Sequence, residues 1–406
     1  MQKIQKNPFQ PAAGARPPVL VGRDAELASI VDAVARLNSG SPPVVIAMVG
    51  LRGLGKTALL SEIESRLEPD RNVVIRLEVE RGLSLGELVR GKIARARRDA
   101  ETLPKRLGNA LDKALQHIPA LTLELPEHLG SIALKSGTGA SPADFESGPL
   151  AEVFELFNEA LHAQKRRLAI LIDEVQDADV AALGSIAAAV HQSAATDSPI
   201  LLAVAGLPQA ELLFKRIRTY TQRWDHLSLE LLTRAEIVSA IRIPLERAGV
   251  SIDNDAIDLL AGECAGYPYF VQLFASTVWN ERKGARITFA DIERSLPPVR
   301  AKIEKTFYRD VLDRLTTREL AFVIALAELG SGPRLLADVS HSFGVPSERL
   351  GSVRANLIKK DVIISPGPRL LEFRIPLLDR FVREHRSEID DAAIDAYREE
   401  LRKTKE

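Results

Sequence analysis

Compact apolar runs alternate with amphipathic segments through the first half of the chain. Four short runs rich in Val, Ile, Leu and Ala have the composition of β-strands that are buried on both faces. They lie at residues 43–50, 72–79, 167–175 and 200–206. Helical periodicity fills the intervals between them, and strands separated by helices predict a parallel α/β sheet. This first domain is predicted to span residues 19–228.

Beyond residue 229 the predicted strands stop and the helical periodicity continues. Three helical segments predict a small all-α lid at residues 229–296. A Pro-Pro pair then breaks the pattern, and residues 297–316 predict a linker helix. Three further helices and a hairpin with a Pro-Gly-Pro turn follow, which is the order of a winged-helix domain, at residues 317–390.

Three segments fall outside this regular order. Residues 1–18 are rich in proline and predict a flexible N-terminal tail, and residues 391–406 predict a C-terminal tail. An insertion at about residues 92–147 interrupts the first domain. It predicts a basic helical segment over 92–118, followed by a β-hairpin in "ALTLELPEHLGSIALKSG".

Composition narrows the class of protein only broadly. A chain of 406 residues is too long for one core, and its formal charge of -1 leaves nucleic-acid binding to local patches. The single cysteine, Cys264, excludes an intramolecular disulfide, and the seven histidines lack the spacing of metal ligands. No apolar run has the length of a membrane span or of a secretory signal, so we expect a cytoplasmic protein with no membrane partner.

The stretch "GLRGLGKT" carries the strongest chemical signal. It satisfies the phosphate-loop pattern G-x-x-x-x-G-K-[ST], with a buried strand before it and a helix after it. Glycines let the backbone amides converge on an anion, Lys56 supplies a charge to the β- and γ-phosphates, and the Thr57 hydroxyl coordinates Mg²⁺. The predicted ATP-binding residues are Gly50, Gly53, Gly55, Lys56, Thr57 and Ala58.

A second acidic motif supports nucleotide chemistry. The strand "LAILIDEV" ends in Asp173 and Glu174. A phosphate-loop protein needs a carboxylate at the end of a neighbouring strand to hold Mg²⁺, and Asp173 is the candidate. Glu174 can polarise the water that attacks the γ-phosphate, so we predict ATP and Mg²⁺ as cofactors and ATP hydrolysis as the reaction.

Four stretches together resemble one known group of proteins: "VLVGRDAEL", "GLRGLGKT", "ILIDEVQDA" and "GYPYFVQ". The combination is similar to AAA+ ATPases of the origin-recognition-like clade and to the related STAND nucleotide switches, and most to bacterial members with a C-terminal winged helix. The resemblance covers about residues 19–386. It implies a P-loop AAA+ parallel sheet with an all-α lid and a C-terminal winged-helix domain.

The resemblance also assigns residues to the nucleotide base. It implies that Val21, Gly22 and Arg23 lie against the adenine and that Pro268 of the lid packs near it. Each has a simpler structural explanation, since "GRD" also starts a helix and Gly and Pro also break one.

Departures from the family pattern predict slow hydrolysis. Many relatives have a polar sensor residue where this chain has Ala205-Gly206, and a sensing arginine where it has Tyr269. The resemblance further implies an arginine that reaches the nucleotide of a neighbouring subunit in a homo-oligomer. Arg216 is the favoured candidate and Arg223 the next, Arg218 being a third; a solvated helix face is the alternative for all of them.

The C-terminal domain predicts a modest DNA-binding surface. The third helix and the hairpin offer Arg349, Arg354, Lys359 and Arg369 to duplex DNA. Residues 315–386 contain 11 Lys and Arg against 8 Asp and Glu, a net charge of +3, whereas strong duplex binders present a denser basic stripe. A role in docking a protein partner is therefore the alternative.

Two functions fit these motifs. In the first, an AAA+ ATPase binds ATP, assembles, and engages DNA in maintenance, initiation-like or mobile-element processes. In the second, a STAND-like switch for signalling or defence uses the winged helix as an autoinhibitory or protein-docking module, with ADP holding the closed form.

Overall fold

The computed structural model describes residues 6–12, 14–67, 71–80, 84–99, 149–343 and 346–386. Most of the predicted basic segment and all of the predicted β-hairpin lie outside these residues. The chain divides into two compact units. The sheet unit comprises Ala12–Pro17 and Gly22–Glu230, and the helical unit comprises Met1–Pro11, Pro18–Val21 and Leu231–Glu406.

Within its described residues, the sheet unit has a parallel sheet of five strands in the order β2-β3-β4-β1-β5. The strands are β1 Ile46–Val49, β2 Asn72–Glu78, β3 Arg167–Asp173, β4 Leu201–Gly206 and β5 Asp225–Ser228. The four predicted strands are confirmed. β5 was not predicted, because only Leu227 among its four residues is a large apolar side chain and the strand lies at the edge of the sheet.

Helices connect the strands of this sheet. They are α1 Asp24–Ser39, α2 Lys56–Arg66, α3 Leu85–Asp99, α4 Pro149–His162, α5 Val180–Ser193, α6 Ala210–Arg216 and α7 Arg218–Thr221. A 3₁₀ turn, Val175–Asp177, follows β3. The core is formed by β1, β3 and β4, which are buried along almost their whole length, together with apolar side chains of α3, α4 and α5.

The helical unit begins with four helices, of which the first three were predicted. They are α8 Arg234–Arg247, α9 Asn254–Cys264, α10 Pro268–Glu281 and α11 Phe289–Ile303. Strands do not stop at residue 229 as predicted, since β6 Ser251–Ile252 pairs in parallel with β7 Arg286–Ile287. Two-residue strands leave no detectable alternation in a sequence.

The predicted break at the Pro-Pro pair does not occur. Pro297 and Pro298 lie inside α11, and the chain continues through a π-helical turn, Glu304–Tyr308, into α12 Arg309–Leu312. Proline is compatible with helical φ but removes an amide donor. The helix persists because its other face is packed, with Ile292, Leu296 and Val299 buried.

Three helices and a small sheet follow, and one helix closes the described chain. The helices are α13 Thr317–Glu328, α14 Leu336–Phe343, α15 Gly351–Lys359 and α16 Leu378–Glu384. The strands β8 Arg334–Leu335, β9 Ile363–Ile364 and β10 Leu370–Phe373 form an antiparallel sheet in the order β8-β10-β9. The short 3₁₀ helix Ser347–Leu350 leads into α15.

The N-terminal residues make specific contacts in both units, which differs from the predicted flexible tail. In the helical unit, Asn7 donates hydrogen bonds to the Ser276 carbonyl at 3.0 Å and to Asn280 Oδ1 at 2.9 Å, and Phe9 is buried. In the sheet unit, Arg16 forms an ion pair with the buried carboxylate of Glu62 on α2. Phe9 is one large apolar side chain among prolines, too weak a pattern to predict this docking.

None of the described helices is long and apolar enough to cross a bilayer.

Candidate functional site

The phosphate-loop motif connects β1 to α2. β1 ends at Val49, and α2 begins at Lys56 with Gly55 as its N-cap at φ 95°. Glycine is suited to this left-handed conformation because it has no Cβ. The first amides of an α-helix have no carbonyl acceptor within the helix itself, which suits this end to an anion. The loop therefore has the backbone form that binds a phosphate at a helix N-terminus.

Lys56 is buried at the mouth of this loop. Its ammonium donates hydrogen bonds to the carbonyl oxygens of Gly50 at 2.7 Å and Leu51 at 2.9 Å. These two loop carbonyls hold the positive charge beside the turn that contains Gly53, whose φ is 83°. Ala58 follows in the first turn of α2 and is buried. The placement of Lys56 fits an anionic group at the loop.

Thr57 and Asp173 meet across the sheet. The Thr57 hydroxyl donates a hydrogen bond of 2.7 Å to Asp173 Oδ2. The sequence predicted that Asp173 ends a strand next to β1. The structure differs, because β4 lies between β1 and β3. The contact forms because α2, which starts after β1, packs over both β4 and β3. Hydroxyl and carboxylate oxygens are the ligands that Mg²⁺ prefers, so this pair fits the cation.

Glu174 follows Asp173 in a sparsely populated backbone conformation. Its φ is 52° and its ψ is 39°, the left-handed region that a residue with a Cβ rarely adopts. Its amide donates to Asp173 Oδ1 at 3.0 Å. Such a conformation persists only where neighbouring contacts enforce it, and it is common at functional sites.

One of those contacts comes from Gln176, which the sequence reasoning did not single out. Its amide nitrogen donates to Glu174 Oε2 at 2.7 Å and to Asp177 Oδ2 at 3.0 Å. Its amide oxygen accepts the Leu207 N–H at 2.9 Å, just after β4. The signal was present in "DEVQD", where a neutral amide stands among acidic residues, but its partner after β4 is a backbone group with no signature in the sequence.

Arg23 has a structural role in this unit. Its guanidinium is buried and donates to the carbonyls of Gly22, Leu54 and Glu230 at 2.9, 3.2 and 2.8 Å. Leu54 belongs to the phosphate loop, so Arg23 fixes the loop to the segment after β5. Val21 belongs to the helical unit, and the predicted contact of Val21, Gly22 and Arg23 with adenine stays a prediction.

The G-Y-P motif of the lid is explained by local structure. Gly266 has φ 84°, and a Cβ built there would lie 2.9 Å from Leu231 Cβ. Pro268 is the first residue of α10, a position that needs no amide donor. Tyr267 between them is fully buried and stacks on Phe270 at 5.1 Å between ring centroids. The predicted contact of Pro268 with the base stays a prediction.

The arginines proposed to act on a neighbouring subunit are exposed. Arg216 is the last residue of α6, and Arg223 follows α7. Both are in the sheet unit.

The four predicted DNA contacts differ in exposure. Lys359 and Arg369 are exposed and Arg349 is half-buried. The half-buried Arg354 donates to Ser365 Oγ at 3.0 Å, which joins α15 to the hairpin. These four residues belong to the helical unit.

The strand order, the loop after β1 and the acidic pair after β3 together define a P-loop fold of the AAA+ type. Residues 19–203 match the family model of the AAA ATPase domain, and residues 305–382 match that of a domain of unknown function, DUF8462. The chain matches none of the curated proteins with which it was compared.

Several solved structures are similar to this chain. The Walker-type ATPase of Pyrococcus abyssi is similar with a TM-score of 0.56 at 15% identity, over 91% of this chain and 97% of that chain. The RuvB Holliday junction branch migration motor of Thermotoga maritima matches with a TM-score of 0.45 at 16% identity, over 89% and 95%. Cdc6p of Pyrobaculum aerophilum matches with a TM-score of 0.42 at 15% identity, over 96% and 98%.

Proposed function

We propose that this protein binds ATP with Mg²⁺ at the phosphate loop and hydrolyses it slowly. The observation that carries the proposal is the 2.7 Å hydrogen bond between Thr57 and Asp173 beside the loop. This hydrogen bond holds together the two oxygen atoms that would coordinate Mg²⁺. Glu174, the next residue, supplies a carboxylate for the attacking water.

Each residue has a defined task in this proposal. The loop amides and Lys56 bind the β- and γ-phosphates, and Thr57 and Asp173 hold Mg²⁺, which supplies neutralisation of phosphate charge. Glu174 orients and polarises water. Slow turnover is expected because Ala205-Gly206 replaces the polar sensor residue of many relatives and Tyr269 replaces their sensing arginine.

Assembly of several copies is the second part of the proposal. Arg216 and Arg223 are exposed on the sheet unit, and we assign one of them to the γ-phosphate of a neighbouring copy. An arginine supplied in this way stabilises charge on the transferred phosphoryl group. ATP would then favour a homo-oligomer over the monomer.

DNA engagement is the third part, and it rests on the C-terminal elements. Their order is α13, β8, α14, α15, β9 and β10, which fits a winged helix with α15 as the recognition helix. The exposed Lys359 and Arg369, together with the half-buried Arg349, are proposed duplex contacts. Arg354, which donates a hydrogen bond to Ser365 in the hairpin, is the fourth proposed contact.

A STAND-like switch is the second candidate, and one observation favours it. The lid and the C-terminal elements pack together through Glu263 of α9, which accepts two hydrogen bonds of 2.7 and 2.8 Å from Arg300 of α11. Arg380 of α16 lies 3.6 Å from the same carboxylate. Tyr308 adds a ring contact with Phe381 at 5.1 Å between centroids. A closed form in which the winged helix serves as an autoinhibitory or protein-docking module would use such contacts.

The deciding experiment compares ATP hydrolysis by the wild type and Glu174→Gln, with and without duplex DNA, together with the oligomeric mass in ATP. The proposal expects slow hydrolysis that DNA stimulates, loss of at least about 100-fold in the variant, and ATP-dependent assembly. Nucleotide affinity should be retained, because Glu174 does not bind the phosphates.

The outcomes separate the two candidate functions. A monomer that retains ADP tightly and ignores DNA would replace the DNA-engaging proposal by the switch. Failure of the wild type to bind ATP would overturn both. Arg216→Ala and Arg223→Ala, mixed separately with Glu174→Gln subunits, would identify the arginine that acts between copies.

A further inference from the structure

Gln176 occupies the place where the polar sensor residue is missing. β4 ends at Gly206, next to Ala205, and neither has a side chain that could read a phosphate or orient a water. The amide oxygen of Gln176 accepts the N–H of Leu207, directly after that strand. The end of β4 is therefore connected to the acidic motif through Gln176 and not through a side chain of its own.

The hydrogen-bonding capacity of this amide determines its orientation. The nitrogen has two protons, and it faces one oxygen of Glu174 at 2.7 Å and one of Asp177 at 3.0 Å. The oxygen faces an amide N–H. The flipped rotamer would set an oxygen against two carboxylates and a nitrogen against an N–H donor, so the observed orientation is the one that satisfies all of these groups.

Gly206 is shaped to admit this side chain. A Cβ at residue 206 would lie 2.9 Å from Gln176 Oε1 and 2.8 Å from Val175 Cγ1, both closer than ordinary contacts. An alanine there would displace Gln176 or the 3₁₀ turn that carries it. The absence of a side chain at the end of β4 and the presence of Gln176 are two parts of one arrangement.

We propose that Gln176 is the positioning residue for Glu174, and that it replaces the missing sensor by tying the Glu174 carboxylate to the end of β4. The inference rests on the proposed hydrolysis. Glu174 is half-buried and begins a turn in the left-handed backbone region, so its carboxylate needs a second anchor to keep one orientation. Gln176 supplies that anchor by donating to Oε2, which leaves the other carboxylate oxygen for water.

The test uses two substitutions that separate the hydrogen bond from the shape of the side chain. Gln176→Glu keeps the acceptor for Leu207 but replaces the donor to Glu174 with a second carboxylate. Gln176→Met keeps the length without a hydrogen bond or charge, and serves where the acidic variant folds poorly. Gln192→Met, at the C-terminal end of α5, is the matched control for a half-buried glutamine.

We expect both Gln176 variants to lower kcat by about 10- to 100-fold, the cost of misplacing a catalytic group, while the KM and the affinity for a fluorescent ATP analogue change less than twofold. In a Glu174→Gln background, Gln176→Met should have no further effect, because it acts through Glu174. The Gln192→Met control should match the wild type.

A measurement without nucleotide tests the contact itself. The urea midpoints of Glu174→Gln, Gln176→Met and the double variant should be non-additive if the two side chains are coupled. Unchanged kcat in Gln176→Met, with Glu174→Gln inactive, would overturn this inference and leave the proposed hydrolysis standing. A wild type that binds but does not hydrolyse ATP would overturn both.

Discussion

At the scale of single residues, the candidate site depends on oxygen atoms held close together. Thr57 Oγ1 and Asp173 Oδ2 are 2.7 Å apart, although the residues are 116 positions apart in sequence. Asp173 is buried, so its negative charge costs free energy unless a cation or a hydrogen-bond donor compensates it. In this structure the Thr57 hydroxyl donates to Oδ2 and the Glu174 amide donates to Oδ1. Thr57 Oγ1 and Asp173 Oδ2 are both suited as ligands of one metal ion.

Removal of the Thr57 hydroxyl should therefore weaken the response to Mg²⁺. Thr57→Val preserves shape and removes one ligand, so Mg²⁺ should no longer increase the affinity for ADP, measured by titration of a fluorescent ADP with and without EDTA. Thr57→Ser retains the hydroxyl and should behave as the wild type. An equal Mg²⁺ effect in Thr57→Val would contradict the assignment of this ligand.

Gly266 provides a second residue-scale prediction, on stability. Gly266→Ala introduces a Cβ at φ 84°, 2.9 Å from Leu231 Cβ, whereas Gly249→Ala introduces one at φ 68° with no atom within 4 Å. The left-handed conformation costs each variant about 1–2 kcal/mol. Gly266→Ala should lose about 1 kcal/mol or more beyond that, since overpacking adds its own cost. Equal urea midpoints for the two variants would show that the close approach is not a constraint.

At the scale of elements, α11 shows packing outweighing local propensity. Pro297 and Pro298 are exposed within a helix whose opposite face is buried. The helix is started by a capping box between Thr288 and Asp291, with the Asp291 carboxylate accepting the Thr288 N–H at 2.9 Å. The hydrogen bond from the Thr288 N–H is the largest cause that lowers the pKa of Asp291, and Arg294 lowers it further. Burial raises the pKa by less, so the pKa of Asp291 lies below its ordinary value.

Pro297→Ala should consequently stabilise the protein. The substitution restores an amide donor and removes the clash with the preceding turn, worth up to about 3 kcal/mol, while an exposed proline gives up little packing. The thermal midpoint of Pro297→Ala should rise, and that of Glu293→Ala, exposed on the same helix, should stay nearly unchanged. A fall in Pro297→Ala would show that the proline sets the course of α11.

At the scale of the whole molecule, charge pairing joins elements distant in sequence within the helical unit. Glu263 of α9 is bound by Arg300 of α11 and approached by Arg380 of α16. Burial alone would raise the pKa of Glu263, but the hydrogen bonds and charges of Arg300 and Arg380 outweigh it, so the pKa lies below its ordinary value. The lid and the C-terminal elements thus share a carboxylate that must stay ionised.

The sign of the pH dependence follows from this lowered pKa. Glu263 stabilises the fold above the ordinary glutamate pKa of about 4.3, and the stabilisation is lost as the pH falls through the lower pKa of the folded state. Glu263→Gln should lose about 1–2 kcal/mol at pH 7, a value reduced by the partial exposure of both arginines.

The difference between this variant and the wild type should shrink below about pH 4. Urea unfolding at a series of pH values measures it. Glu246→Gln, exposed on α8, is the control and should show no such trend. A difference that stays constant down to acid pH would mean that the ionised carboxylate is not what stabilises these contacts.

The sequence by itself determined the parts of this protein that depend on local pattern. The four buried strands, the phosphate loop and the acidic pair after β3 follow from composition, periodicity and spacing, because a buried parallel strand needs a continuous apolar run and a phosphate loop needs glycines at fixed positions. The first three lid helices could also be predicted from their helical periodicity, as could the order of helices and hairpin at the C-terminal end.

Only the tertiary structure decided the features that join distant segments. The insertion of β4 between β1 and β3, the edge strand β5, and the continuation of α11 through two prolines are settled by which faces pack together. The role of Gln176 could be inferred only from the structure, in which its side-chain amide accepts a hydrogen bond from the backbone after β4. Arg23 likewise proved to bind carbonyls of two loops. Backbone donors and acceptors have no sequence signature, so contacts that depend on them are decided by the fold.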